Sequence, residues 1–456
     1  MISSELRTPK FRTLLFRLAR PYNTAHPNKP KPKPKPKTRN RFNRKPRIPF
    51  VDNVKELQDP DKALSLFHEY RDTGFNHDYP SYASLVYKLA KARHFESVRT
   101  VLGWLKDRDV RCREALFVGL IQHYGKVGMV DEAVEVFDGV RSFNCDRTVD
   151  SFNSLLNVLA DNGRVVEADA LFRRSREMGF RLKPISFNLM IKGWLRVGDW
   201  ERAREVFDEM LDREVEPNVV TYNSMLGYLC RNGELGKARE LIDGMVEKGR
   251  RPNEVTYALL MEGLCLNGEH DEAKKVMFDM EYSGCKPKQL NYGVLMSDLG
   301  KRGKVDEIVS LVGEMKKRKL KPDVVTYNIM INYLCKEGRV REAHKVMFEM
   351  QLGGCQANAA SYRMLVDGFC QVGDFEAGMG VLNAMLLSRH CPRIETFNCL
   401  VSGLVESGNV DGALFVLEEM DKRKLKLDKA WEALISPSCV QGEISARLVG
   451  ELISEV

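Results

Sequence analysis

Eleven cysteines are the first candidates for chemistry, because a thiolate can hold zinc or close a disulfide. Their spacing argues against both. Cys230, Cys265, Cys335 and Cys370 are separated by 35 residues or a multiple of 35, and so are Cys145, Cys285 and Cys355. No Cys-x-x-Cys pair occurs. Thiols that recur with a structural register are expected to pack as small hydrophobes, with no metal site. The eight histidines show no such recurrence, and none sits in a metalloprotease spacing. Acidic pairs occur at Asp131-Glu132, Asp271-Glu272 and Asp306-Glu307, each opening a helical pattern. There they favour the helix dipole, which accounts for them without acid catalysis. A glycine-rich phosphate loop and a Gly-x-Ser-x-Gly elbow are both missing from the sequence. Hydrolytic and phosphoryl-transfer chemistry find no residues here, and the expectation is a protein with no catalytic group and no cofactor.

The same interval governs the whole chain. Val219–Asn253 reads VVTYNSMLGYLCRNGELGKARELIDGMVEKGRRPN, and its pattern returns at Glu254 and at Val324. Ten repeats run in register without an insertion, starting at Tyr79, Glu114, Val149, Pro184, Val219, Glu254, Gln289, Val324, Ala359 and Ile394. Within a repeat, apolar residues at positions 4, 7, 8 and 11 (Tyr222, Met225, Leu226, Leu229) mark one buried helical face. A second face follows at Ala238, Leu241, Ile242 and Met245. Gly233 between them suits a left-handed helix end, and Pro252 closes the repeat. Position 4 is aromatic in all ten repeats, position 20 is Ala in seven, and Met recurs from Met210 to Met420. Helices this short are unstable alone, so each must bury its stripe on its neighbour. The expected fold is all-α: a right-handed α-solenoid superhelix of ten helix-turn-helix repeats with a concave face.

Outside residues 79–428 the pattern changes. Residues 1–51 carry fifteen Lys or Arg and only Glu5 as an acid. The piece Arg7–Arg20 forms an amphipathic basic helix if folded, which reads as a transit peptide. Arg outweighs Ser and Thr there, pointing to the mitochondrion, with the chloroplast as alternative. Lys29–Lys37 alternates Lys and Pro, a stiff extended spacer. Residues 52–78 match half a repeat and read as an N-terminal cap. Residues 429–456 begin another first helix, with Trp431 near the aromatic slot, and read as a C-terminal cap. The chain's net charge is +8; residues 1–51 contribute 15 − 1 = +14, so the remainder sums to −6. Net charge therefore gives no support for nucleic-acid binding by the repeats, and any attraction to phosphate must be local. No apolar run reaches the length of a membrane span.

The interval and the V-T-Y-N-x-L…G…A…M…P-[DN] pattern resemble the pentatricopeptide repeats of plant organellar proteins, of the plain P type. Tetratricopeptide repeats run one residue shorter and carry Trp at the aromatic position, and neither feature appears. The resemblance implies that each repeat reads one base of single-stranded RNA. It places the base-flanking side chain at position 2 and the base-selecting pair at positions 5 and 35. The implied selecting pairs are Asn153 with Lys183, Asn188 with Asn218, Asn223 with Asn253, Gly293 with Asp323, Asn328 with Asn358, and Asn398 with Asp428. The implied flanking residues are Ile185, Val220, Val255, Leu290 and Val325.

In the family, Asn–Asn points to a pyrimidine, C before U, and Asn–Asp to U. An amide at position 5 both donates and accepts, which suits a pyrimidine edge. Repeats 1, 2, 6 and 9 carry Ala83 with Arg113, Val118 with Thr148, Ala258 with Lys288, and Arg363 with Arg393, and these are outside the usual pairs. The expected function is sequence-selective binding of organellar RNA by a monomer, supporting processing, stability, splicing or translation, alongside other RNA-processing proteins and away from membranes. The alternative is a protein-binding helical scaffold within an organellar complex.

Overall fold

The computed structural model describes residues 49–423 except Asp109, together with Leu425. The transit-peptide and Lys-Pro expectations before residue 49, Asp428 and Trp431 lie outside the described residues. Among those described there are 22 α-helices, one 3-10 turn and no strand.

All ten first helices begin at position 1 of the register, from Tyr79–Lys91 to Ile394–Glu406. All ten second helices begin at position 17, from Phe95–Asp107 to Val410–Asp421. The stop between them is backbone geometry: the turn glycines from Gly128 to Gly408 all have φ between +70° and +86°. Glycine reaches that region without steric cost. In repeat 1, Arg93 takes its place at φ 66°.

The chain divides into two compact bodies, one ending at Arg251 and the other beginning at Pro252. In the first, each first helix from Tyr79–Lys91 to Val219–Arg231 packs on its own second helix, and those up to Pro184–Arg196 also pack on the next first helix. In the second body the same scheme runs from Glu254–Leu266 to Ile394–Glu406. The cores follow from the repeat. Position 4 is buried in nine repeats, from Tyr82 to Phe397, with Tyr257 only half-buried. Ala133, Ala168, Ala203, Ala273 and Ala343 are fully buried at position 20, where a small side chain lets the helices close. Met210, Met245, Met280, Met315, Met350 and Met385 fill the gap beneath them at 0% exposure.

The sequence pattern expects only a second helix in the N-terminal cap. The structure adds an eight-residue helix ahead of it, Pro49–Glu56, before Pro60–Asp72. Phe50 is fully buried there, edge-on to Phe67 at 5.7 Å and to His77 at 4.8 Å. Two turns are too short to display the repeating apolar stripe, which is why the pattern is silent there.

The acidic pairs open second helices as expected. Two of them also tie repeats together. Arg164 Nη1 meets Asp131 at 2.5 Å and Arg339 Nη1 meets Asp306 at 2.8 Å, while each arginine also holds a Glu of its own helix.

Candidate nucleic-acid interface

Position 35 is the N-cap of the next first helix. Asn218, Asn253, Asp323 and Asn358 all have extended backbone there, with φ from −99° to −110°. Their side-chain oxygens accept backbone N–H groups the helix cannot pair itself. Asn218 Oδ1 accepts from Thr221 N at 3.0 Å, Asn253 Oδ1 from Thr256 N at 3.0 Å, Asp323 Oδ1 from Thr326 N at 2.8 Å and Asn358 Oδ1 from Ser361 N at 3.1 Å. The residues expected to select bases are therefore also the helix N-caps. The cap engages the oxygen of each amide.

Position 5 is held by a residue that sequence reasoning missed, the hydroxyl at position 3 of the following repeat. Thr221 Oγ1 donates to Asn188 Oδ1 at 2.6 Å, Ser361 Oγ to Asn328 Oδ1 at 2.6 Å and Ser186 Oγ to Asn153 Oδ1 at 2.7 Å. In the first two cases the hydroxyl accepts the N-cap backbone N–H, from Asn218 at 3.1 Å and Asn358 at 3.2 Å. Its one proton goes to the position-5 amide oxygen at 2.6 Å in preference to the N-cap oxygen, which lies further off at 3.2 and 3.1 Å. Ser186, Thr221 and Ser361 are all at 0% exposure. A row of buried Ser and Thr in a helical hairpin was the available signal, since a buried hydroxyl requires a partner.

These bonds orient the pair. Asn188 Nδ2 lies 3.4 Å from Asn218 Oδ1, and Asn328 Nδ2 lies 3.4 Å from Asn358 Oδ1. Both oxygens already accept hydrogen bonds within the protein, so what each Asn–Asn pair has left to offer is N–H donors. Cytosine offers two adjacent acceptors, N3 and O2, on its pairing edge. Uracil interrupts them with an N3–H donor. The geometry suits cytosine better.

The other expected pairs are less complete. Asn223 belongs to the first body and Asn253 to the second. Lys183 caps with its backbone alone and is exposed. Gly293 has no side chain, and Ile329 of the next repeat lies 3.6 Å from where a Cβ would stand. Asn398 Oδ1 is buried without a hydrogen bond among the described residues.

Of the off-pattern repeats, several engage their position-35 side chains in surface contacts within the chain. Lys288 Nζ pairs with Glu254 at 2.7 Å, Arg113 lies over the Tyr79 ring at 5.8 Å, and Thr148 Oγ1 donates to Glu114 at 2.7 Å.

Position 2 carries an exposed aliphatic side chain in five successive repeats. Ile185 is 55% exposed, Val220 61%, Val255 38%, Leu290 47% and Val325 62%. Side chains of this kind gain from covering, at about 25 cal/mol per Å². A base face is one such cover.

Position 13 lies about three turns further along the same helical face. It is basic and exposed in six repeats: Lys91, Lys126, Arg196, Arg231, Lys301 and Lys336. The residues sit in the last helical turn, where a cation also favours the dipole. Arg196 is tied to Asp161 at 2.8 Å. The register that revealed the cysteines contained this cationic row too.

Three family models match the chain. One described as the PPR repeat family covers residues 183–226, 217–266, 287–336 and 322–371. Another, for the PPR repeat, covers 150–180, 255–285, 360–390 and 395–425. A pentatricopeptide repeat domain model covers 100–162. A mitochondrial pentatricopeptide repeat-containing protein of Arabidopsis thaliana is 54% identical over 170 residues, covering 37% of each chain. A second one named as mitochondrial, also from Arabidopsis thaliana, is 34% identical over 166 residues, 35% of this chain and 31% of that protein. The matches thus span about a third of the length of these relatives. Among solved structures, the pentatricopeptide repeat protein PPR10 in complex with an 18-nt psaJ RNA element aligns with a TM-score of 0.47. It shows 22% identity over 84% of this chain and 64% of that one. Yeast Rmd9p in complex with a 16-nt target RNA aligns with a TM-score of 0.44, 12% identity, and 89% and 94% coverage.

Proposed function

Because the chain belongs to the pentatricopeptide repeat family, we propose that it binds single-stranded RNA sequence-selectively, one base per repeat, in the mitochondrion. The observation that carries this is the fixed Asn pair of repeats 4 and 8, whose oxygens are engaged by hydrogen bonds within the protein, so that the remaining capacity of each pair is in its N–H donors. Beside each pair stands an exposed position-2 side chain, Ile185 or Val325, ready to flank a base. The position-13 cations supply the local attraction to phosphate that a chain summing to −6 after residue 51 otherwise lacks.

Binding acts by occupancy: it shields a transcript, remodels it, or exposes a site for processing, splicing or translation. It is not enzymatic in itself. The basic residues 1–51 serve as transit peptide and linker, in keeping with relatives whose names include the mitochondrion. The repeats at 79–428 do the binding between the caps at 52–78 and 429–456, in a monomer that meets other RNA-processing proteins on the RNA. The P-type assignment belongs to the same proposal.

Selection of bound sequences from a random RNA pool by the purified chain tests this. Enrichment of cytosine at the positions read by repeats 4 and 8 is the expected result. Six position-13 cations give a slope of about −4 for log affinity against log salt, at about 0.7 per phosphate neutralised on a single strand. A pool that emerges unenriched refutes the proposal. The alternative, a protein-binding scaffold, draws on exposed apolar side chains at or just past the ends of second helices, Tyr282 at 72%, Leu352 at 89% and Leu387 at 77%.

A further inference from the structure

Two register positions break the repeat's apolar rule at the same place in space. Position 17 opens the second helix and is aliphatic or aromatic in nine repeats; in repeat 6 it is His270. Position 10 of one repeat meets position 12 of the previous one, usually large against small. A Cβ on Gly368 would stand 2.7 Å from Cys335 Sγ, and one on Gly300 would stand 2.2 Å from the Tyr333 ring. Between repeats 6 and 7 that contact is Cys265 against Asp298, and Asp298 is the one acid among the ten position-10 residues. Asp298 is only 6% exposed, a costly burial for a carboxylate unless something stabilises its charge.

The local geometry says what is missing. Arg302 Nη2 holds Asp298 Oδ2 at 2.7 Å. Asp298 Oδ1 is turned the other way, 2.9 Å from His270 Nδ1. That nitrogen is buried, yet the approach is not the in-line geometry of an N–H donor, and it makes no hydrogen bond. A ring nitrogen and a carboxylate oxygen facing each other at 2.9 Å with no hydrogen bond between them is an arrangement that a cation held by both would satisfy. Cys265 Sγ completes the group, with all three ligand atoms within 4.8 Å of one another.

We propose that Cys265, His270 and Asp298 form a divalent transition-metal site, for Zn²⁺ by the chemistry of its donors, linking repeat 6 to repeat 7. One sulfur, one imidazole nitrogen and one carboxylate oxygen are ligands zinc accepts in tetrahedral sites, and three protein ligands leave the fourth position to water. With bonds of about 2.0–2.3 Å, tetrahedral ligand atoms stand roughly 3.5 Å apart, so on binding the His270–Asp298 pair opens slightly from 2.9 Å while any wider separation within the 4.8 Å group closes. Arg302 on the far oxygen fixes the carboxylate, the part an outer-shell partner plays. The thiol gives up its proton to solvent as the metal enters. The His270 side chain is 29% exposed, which opens a path for the ion. The site is independent of RNA binding.

Titration of the purified, chelator-treated full chain with Co²⁺, followed by Zn²⁺ displacement, tests the site. The expected result is one equivalent per chain with a thiolate-to-cobalt charge-transfer band that Zn²⁺ abolishes. Cys265→Ala, His270→Val and Asp298→Gly each install a residue found at the same position of other repeats, as in Ala160, Val305 and Gly263. They should keep the helical circular dichroism and lose the band, with affinity down by at least about tenfold. Cys335→Ala should leave the band intact. A native chain that shows no stoichiometric band, or a band that survives all three substitutions, overturns the proposal.

Discussion

Thr221→Val tests the orientation of the repeat-4 pair directly. The substitution keeps the side chain's shape and removes only the hydroxyl. That hydroxyl is fully buried, accepts Asn218 N–H at 3.1 Å and donates to Asn188 Oδ1 at 2.6 Å. Its loss leaves one backbone donor and one amide acceptor short of a partner. An unsatisfied group costs about 1–3 kcal/mol, and Asn188 is half-buried and can turn its oxygen to water. We therefore expect a total loss of stability of about 1–3 kcal/mol. The larger consequence is for selection. Once unlocked, the Asn188 amide can rotate and present its oxygen, so it accepts from uracil N3–H as readily as it donates to cytosine. One net hydrogen bond of about 1 kcal/mol corresponds to roughly a fivefold change, and the C-over-U preference at repeat 4 should fall by that factor. Dissociation constants for RNAs differing only at that nucleotide measure it. Thr221→Ser should restore the preference, as Ser361 holds Asn328 in repeat 8. If the Val variant keeps its full preference, or the Ser variant loses as much, the hydroxyl does not orient the amide.

Three further outcomes are expected. Asn328→Thr with Asn358→Asp replaces two donors by a hydroxyl and an acceptor, which suits guanine's O6 and N1–H; selection from a random pool should shift that one position towards G. Gly403→Ala places a methyl 1.9 Å from the Phe375 ring and should cost about 1–3 kcal/mol in thermal unfolding, without altering base preference. Glu114 is pushed up by burial but pulled further down by hydrogen bonds from Ser151 and Thr148, so its carboxyl titrates below the ordinary 4.5. A depressed folded value means its stabilisation is present above pH 4.5 and lost as pH falls through the folded value. The melting midpoint of Glu114→Gln should converge on that of the native chain in acid, and parallel curves across the range would count against the linkage.

The sequence by itself determined the period, the two helices of each of the ten repeats and the buried stripe. These depend on local chemistry: the 3.6-residue spacing of apolar side chains, the φ that glycine tolerates at Gly233, the stop at Pro252. The short helix Pro49–Glu56 escaped because two turns carry too little pattern. For the candidate interface, the residue types at positions 2, 5 and 35 were legible, since they recur with the fold. What only the tertiary structure decided is which way the amides face and what holds them. Asn188 and Thr221 lie 33 residues apart and meet only when one repeat packs on the next. The same holds for Cys265, His270 and Asp298: each reads singly as packing or solvated, and they become a cluster because stacking brings position 10 of one repeat onto position 12 of the last. A hydrogen bond or a ligand set is a relation between atoms a few ångströms apart, and in a repeat array those distances are set by the stacking of neighbours, which a one-dimensional register does not contain.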